Sequence, residues 1–316
     1  MLVTGACGLL GAHLVEVFRP HAQVAGLDRN PWWGDRPLDL RAGDLADHAF
    51  LKRVVADVRP DVLIHCAALV DVDRCERRPA EAFAINSDVT RVLASAAAPE
   101  TLFVYVSTDS IFKADRPFST ERDLPCPRTV YARSKLHGEW ETQLSTSNHL
   151  IIRTNLYGWS SGRKKTFAEW LYESLRTAAP ITLFDDLFYT PIYVVDLAER
   201  ILALCRGAYR GVVHLAAGDR VSKLEFGLAM AELAGLPATA VRPGRLKDAA
   251  LSADRPSEIS LDTRLSVQLT GLPAPAWRDG LIKFLAARGR PLSARMTARA
   301  AGSGASGPTH EGERRR

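Results

Sequence analysis

The sequence predicts an α/β chain built on a doubly wound parallel sheet, with a smaller C-terminal lobe. Three observations predict it. Short apolar runs alternate with segments of helical period through the first half. A glycine-rich turn joins the first run to the first helical segment. The residues best suited to chemistry fall just past the ends of the runs. Strands separated by helices imply right-handed βαβ units and therefore a parallel sheet.

In chain order, Leu2-Val3 reads as a clipped first strand and 9–19 as a helix. A strand over Gln23–Leu27 leads into a loop over 29–46 with Pro31, Gly34 and Pro37, holding a short strand near Leu38–Arg41. A helix over 47–57 precedes the strand Val62–His65, and a helix over 80–98 precedes the strand Leu102–Val106. A loop with Pro117, Pro125 and Pro127 leads to a helix over 129–145, then to strand His149–Arg153 and a late strand Val212–Leu215. Helical pieces near 165–177, 194–206, 222–235 and 277–287 alternate with Pro/Gly loops. These divisions predict a body over 1–155, with 190–215 returning to its sheet, and a lobe over 156–189 and 216–287. Residues 288–316 are Gly, Ser, Ala and Arg with almost no large apolar side chain. The expectation there is a disordered tail.

The 316 residues are 47% hydrophobic and 24% charged, enough to bury a large core. The net charge of +5 is carried by the tail, where seven Arg face two Glu, so the body is near neutral and no basic face for nucleic acid is expected. Five scattered Cys without a C-x-x-C pair argue against a metal site and a disulfide framework, and fit a reducing compartment. The chain enters a strand at once, which leaves no room for a signal peptide. No apolar run reaches the roughly 18 residues of a membrane span. A cytoplasmic location, without membrane or nucleic-acid partners, is the expectation.

The turn Thr4-Gly5-Ala6-Cys7-Gly8-Leu9-Leu10-Gly11 spaces its glycines as G-x-x-G-x-x-G. Missing Cβ atoms permit a tight turn and close approach of backbone to a pyrophosphate, and the helix that follows offers unpaired N–H groups. Strand-turn-helix is the context in which such a motif holds a dinucleotide. Asp28 ends the second strand, where a carboxylate can accept from adenosine ribose hydroxyls and favours NAD. Arg29 follows and can instead meet a 2′-phosphate, so NAD and NADP both stay open.

Tyr131-Ala132-Arg133-Ser134-Lys135 sets Tyr and Lys four apart, on one face of a helix. A free phenol has a pKa of about 10. A neighbouring ammonium is expected to lower it toward neutrality. Ser107-Thr108, past an earlier strand end, offers a hydroxyl to orient a substrate oxygen against Tyr131. Asp44-Leu45, Cys66-Ala67-Ala68 and Thr154-Asn155 also follow strand ends, and small residues at 66–68 allow a nicotinamide to come close. Ligands of open parallel sheets bind along that carboxyl edge.

Together the runs T-G-x-x-G-x-x-G (4–11), D-L (44–45), C-A-A (66–68), I-N-S (85–87), S-T-D (107–109), V-Y-A-R-S-K-L-x-G-E (130–139) and R-T-N-L-Y-G (153–158) resemble the extended short-chain dehydrogenase/reductase family. Within it they are most similar to the dTDP-4-dehydrorhamnose reductases, over about residues 1–287. The resemblance implies a Rossmann domain that binds NAD(P), a substrate-binding lobe, and reduction of a nucleotide-linked 4-keto-6-deoxy sugar. It implies that Thr108, Tyr131 and Lys135 are catalytic, with Tyr131 donating the proton and Asn86 supporting the lysine through the backbone and water. Cofactor contacts would come from Gly5, Cys7, Gly8, Leu9, Leu10, Gly11, Asp28, Arg29, Asp44, Leu45, Cys66, Ala67, Ala68, Asn86, Ser107, Tyr131 and Lys135. Substrate contacts would come from Thr108, Asn155 and Arg255, and a homodimer is entertained.

The chain departs from those reductases at Cys66, at Asn155-Leu156 and at Ser257–Ser260, which leaves the sugar and nucleotide open. The run Arg163-Lys164-Lys165 reads as a solvated face or as a diphosphate contact. Trp32-Trp33 reads as packing or a lid, His65 as core, and Asp196 as a helix cap. Arg255 is suited to clamp a phosphate or to pair with a carboxylate. Two other readings stand beside the reductase. An epimerase or dehydratase on the same scaffold is one, although Asp109-Ser110 lacks the Asp-Glu pair usual in sugar dehydratases. A non-catalytic regulatory subunit, like that of methionine adenosyltransferase, is the other.

Overall fold

The apolar runs are buried on both faces, and this dictates a layered structure. In a computed structural model, residues 1–113, 116–161, 165–249 and 252–296 are described. Seven strands, β1 (Leu2–Thr4), β2 (Ala25–Asp28), β3 (Asp39–Ala42), β4 (Val62–His65), β5 (Leu102–Val106), β6 (His149–Arg153) and β7 (Gly211–His214), form one sheet. Its order is β7-β6-β5-β4-β1-β2-β3, and every pairing is parallel.

Alternation along each strand sorts the core into two sides. Leu63, Phe103 and Ile151 face one way, onto Leu51, Val55 and Leu93 of α2 (His48–Val58) and α5 (Val89–Ala96). Their neighbours Ile64, Val104 and Ile152 face the other, toward Leu14 of α1 (Leu9–Phe18) and Leu197 of α8 (Val194–Arg206). Between α2 and α8 the chain forms α3 (Val72–Arg77), α4 (Pro79–Phe83), α5, α6 (Val130–Ser145) and α7 (Phe167–Arg176); after it come α9 (Lys223–Ala234), α10 (Arg264–Thr270), α11 (Trp277–Ala286) and α12 (Leu292–Arg295).

Several elements depart from the sequence reading. The helix expected over 80–98 is broken by a π-helical turn at Ala84–Asp88, and α3 and α10 add to the expected set. Three strand pairs outside the main sheet join Leu156–Tyr157 to Ile192–Tyr193, Phe188–Tyr189 to Val221–Ser222, and Ile181–Phe184 to Val241–Gly244. Asp196 makes no capping hydrogen bond; its carboxylate accepts from Lys283 Nζ at 2.6 Å. Within the stretch from residue 288, where a disordered tail is expected, residues 288–296 are described and ordered against the body. Leu292 is buried, and α12 lies against α1. Residues 297–316 lie outside the described residues, as do Arg163 and Lys164. Among the described residues no helix is long and apolar enough to cross a membrane.

Candidate active site

The sheet order reverses between β1 and β4, whose carboxyl ends open on a cleft of about 740 Å³. This is where helices leaving a parallel sheet on opposite faces leave a crevice. Gly5, Cys7, Gly8, Leu9 and Leu10 form its floor, with Asp28 and Arg29 beyond β2 and Asp44 and Leu45 beyond β3. Cys66, Ala67 and Ala68 follow β4, Ser107 and Thr108 follow β5, and Asn155 follows β6. Tyr131 and Lys135 reach in from α6.

Three expected residues stand elsewhere. Gly11 lies under the turn, where a Cβ would sit 2.2 Å from the Gly5 carbonyl oxygen; its role is close packing of α1. Asn86 is fully buried behind the cleft. It accepts from Leu69 N at 2.7 Å and donates to Ser134 Oγ at 2.9 Å, so it ties the 67–69 loop to α6, the helix that carries Lys135. Arg255 does not line the cleft and pairs with Asp73 at 3.4 Å.

The turn is built for an anion. Gly5 has φ +67°, and a Cβ there would lie 2.8 Å from Ala67 N. No side chain caps α1, which leaves its N-terminus and positive dipole end to the cleft. Asp28 is drawn back onto this turn: it accepts from Cys7 N at 3.0 Å, and from Asn30 N and Nδ2 at 2.8 and 3.0 Å. Arg29 is exposed at the rim, with no carboxylate partner among the described residues. A dinucleotide pyrophosphate and adenosine therefore fit the residues present.

Across the cleft from that turn, Lys135 Nζ donates to the Val106 carbonyl at 2.6 Å and lies 4.1 Å over the Tyr105 ring. Burial pulls its ammonium down to about 7, with Glu139 opposing. Burial pushes the Tyr131 phenol up, and the Thr108 hydroxyl is the main opposing influence. Burial thus acts against the expected lowering, and among the influences on the phenol the Thr108 hydroxyl, not the Lys135 ammonium, opposes it. Cys66, pushed up to about 12 by burial, is protonated, and His65 is held neutral at about 3 by burial while it bonds Thr4 Oγ1 at 2.6 Å.

Further residues reach the cleft. Asp109 is buried beside Thr108; it accepts from Thr108 Oγ1 at 3.1 Å, Ser110 Oγ at 3.1 Å and Asn155 Nδ2 at 2.7 Å. Burial raises it to about 6, and those hydrogen bonds oppose. Asn30, Thr154, Lys165 and Phe167 complete the walls. Asp109 and Thr154 each adjoin a marked residue and were within reach of the motif reading. Lys165, from the run read as a solvated face or a diphosphate contact, lines the cleft, and Phe167, the first residue of α7, reaches it with no local pattern to record its approach. Ser107 Oγ donates to buried Glu139 at 2.5 Å, and Glu139 pairs with buried Arg153 at 2.8 Å; together they lock the ends of β5 and β6 onto α6. Among the described residues no cluster suits a metal ion.

A family model described as RmlD substrate binding domain matches residues 1–289. A dTDP-4-dehydrorhamnose reductase of Mycobacterium tuberculosis (strain ATCC 25618 / H37Rv) is 33% identical over 297 residues, covering 91% of this chain and 92% of its own. The methionine adenosyltransferase 2 subunit beta of Danio rerio is 30% identical, covering 90% of each. Among solved structures, a dTDP-4-dehydrorhamnose reductase of Bacillus anthracis in complex with NADP superposes with a TM-score of 0.82 at 28% identity, covering 90% of this chain and 98% of that one.

Proposed function

The chain belongs to the RmlD substrate binding domain family, and from that premise we propose that it is an NAD(P)H-dependent reductase of a nucleotide-linked 4-keto-6-deoxy sugar. The observation that carries the reading is the meeting of Tyr131, Lys135 and Thr108 with the glycine turn in one cleft. The reduced dinucleotide, when bound, supplies a hydride to the keto carbon.

The protein's own groups do the rest. The turn at Gly5–Leu10 and the free end of α1 hold the pyrophosphate. Lys135 is near enough to neutrality to exchange a proton, and its ammonium would help hold the dinucleotide's ribose hydroxyls. Tyr131 keeps its proton until charge develops on the sugar oxygen, then donates it. Thr108 orients that oxygen. Asn155, tied to Asp109, forms the sugar-side wall. We assign 1–155 with 190–215 to the dinucleotide half, and 156–189 with 216–287 to the sugar half. The test is oxidation of NADPH or NADH with dTDP-4-dehydrorhamnose, followed by product analysis. Absence of turnover across several 4-keto sugar nucleotides would count against the reading.

The likeness to a methionine adenosyltransferase beta subunit favours a second reading, a non-catalytic regulatory subunit. Capture of a stoichiometric partner, with function unchanged in Tyr131→Phe, would support that reading over the first.

A further inference from the structure

Residues 290–296 lie beyond the part of the chain that the family model matches, yet they touch Trp33 and Asp35 in the loop after β2 and Trp159 in the segment that leads to the opposite wall of the cleft. Leu292 is buried and seats α12 on α1. Ser293 N donates to Asp35 Oδ1 at 3.0 Å, and its hydroxyl donates to the other oxygen of the same carboxylate. These bonds hold the loop that follows β2.

Arg295 does more. Its guanidinium lies 5.4 Å from the centroid of the Trp33 ring, and its Nη1 donates to the Trp159 carbonyl at 2.7 Å. The Trp33 indole N–H in turn donates to the Cys7 carbonyl at 3.0 Å, inside the glycine turn. Trp159 is followed directly by Ser160 and Ser161, which line the opposite wall. One cation thus bears on the cofactor turn through Trp33 and on the substrate-side loop through Trp159. Those two segments are far apart in the chain, so only tertiary contacts fix their spacing.

We propose that Leu292–Arg295 is a strap across the outside of the cleft, and that Arg295 is a positioning residue holding the cofactor turn and the 159–161 loop in register. A planar guanidinium suits this task because it stacks on an aromatic ring and donates in its own plane at once. Loops held in place before ligand arrives lose less freedom on binding, so the strap favours both ligands without touching either. The consequence for cofactor affinity rests on the function proposed above; the ordering of the loops does not.

Hydrogen exchange on the full chain without ligand tests the ordering, in the wild type and in Arg295→Ala, Arg295→Lys and Trp33→Phe. Arg295→Ala should speed exchange about tenfold in peptides spanning 5–10 and 158–161, the scale of one lost charge-assisted bond. β5 should be unchanged. Trp33→Phe should loosen only the first peptide, and Arg295→Lys should recover part of both. Unchanged exchange in either peptide of Arg295→Ala, or an equal rise in β5, overturns the strap. NADPH titration of the same proteins supplies the second readout, with several-fold weaker binding expected in Arg295→Ala. Equal binding by wild type and variant overturns the positioning role. A wild type that binds no NADPH overturns the proposed function, and the exchange data then decide the strap alone.

Discussion

Tyr131 must hold a proton and release it on demand, and its surroundings favour the holding. Burial keeps the phenol protonated, and Thr108 is the hydroxyl placed to accept or share its hydrogen bond. Tyr131→Phe is expected to lower kcat by about 10²-fold or more, the usual contribution of a general acid. NADPH affinity, measured by fluorescence titration, should change little. A loss confined to KM would contradict the assignment. Lys135, which is buried, and Lys223, which is half-buried, give a second residue-scale expectation. Burial brings both Lys135 and Lys223 down to about 7, whereas an unfolded lysine titrates at about 10.4. Below pH 7 the folded chain carries both charges at full desolvation cost. Above it the folded state releases protons that the unfolded state keeps, so this contribution to stability rises with pH. Lys223→Met should therefore be more stable than wild type at pH 6, by a margin that narrows toward pH 9. Urea unfolding across that range measures it, and a margin independent of pH would refute the burial argument.

At the scale of elements, the sheet ends are fixed by a buried network as well as by backbone bonds. Glu139 on α6 joins Ser107 at the end of β5 to Arg153 at the end of β6. Removing one partner strands a buried charge, so Glu139→Ala should cost about 3–5 kcal/mol in urea unfolding. A cost under about 1 kcal/mol would mean water reaches the arginine. The junction of β1 and α1 is equally tight. Gly11→Ala puts a methyl into the Gly5 carbonyl, so about 1–3 kcal/mol of overpacking and a loss of NADPH binding are expected from melting and titration. Much of this level was legible in the chain. β4, β5 and β6 are continuous apolar runs with the residues expected of them. The break at Ala84–Asp88 was not legible, because a π-helical turn leaves little trace in a 3.6-residue pattern. The strand pairs outside the sheet escaped as well, since most are two residues long and show no alternation.

For the whole molecule, the reversal of strand order at β1 and β4 is what turns scattered motifs into one site. Ligand that binds only the folded chain stabilises it by mass action. At a hundred times its Kd, NADPH should add about 2.7 kcal/mol and raise the melting temperature by several degrees. No shift with either NADPH or NADH would argue against a dinucleotide cleft.

Taken alone, the order of residues determined the layered α/β class, the glycine turn and the Tyr131–Lys135 pair, because these depend on local periodicity and short spacings. Tertiary structure decided which marked residues face the cleft. It withdrew Arg255 to Asp73, set Asn86 behind the wall, and brought Phe167 and Arg295 to places no motif marks. It also set burial against the lowering of the Tyr131 phenol that spacing alone suggests, since desolvation is a property of everything packed around a group.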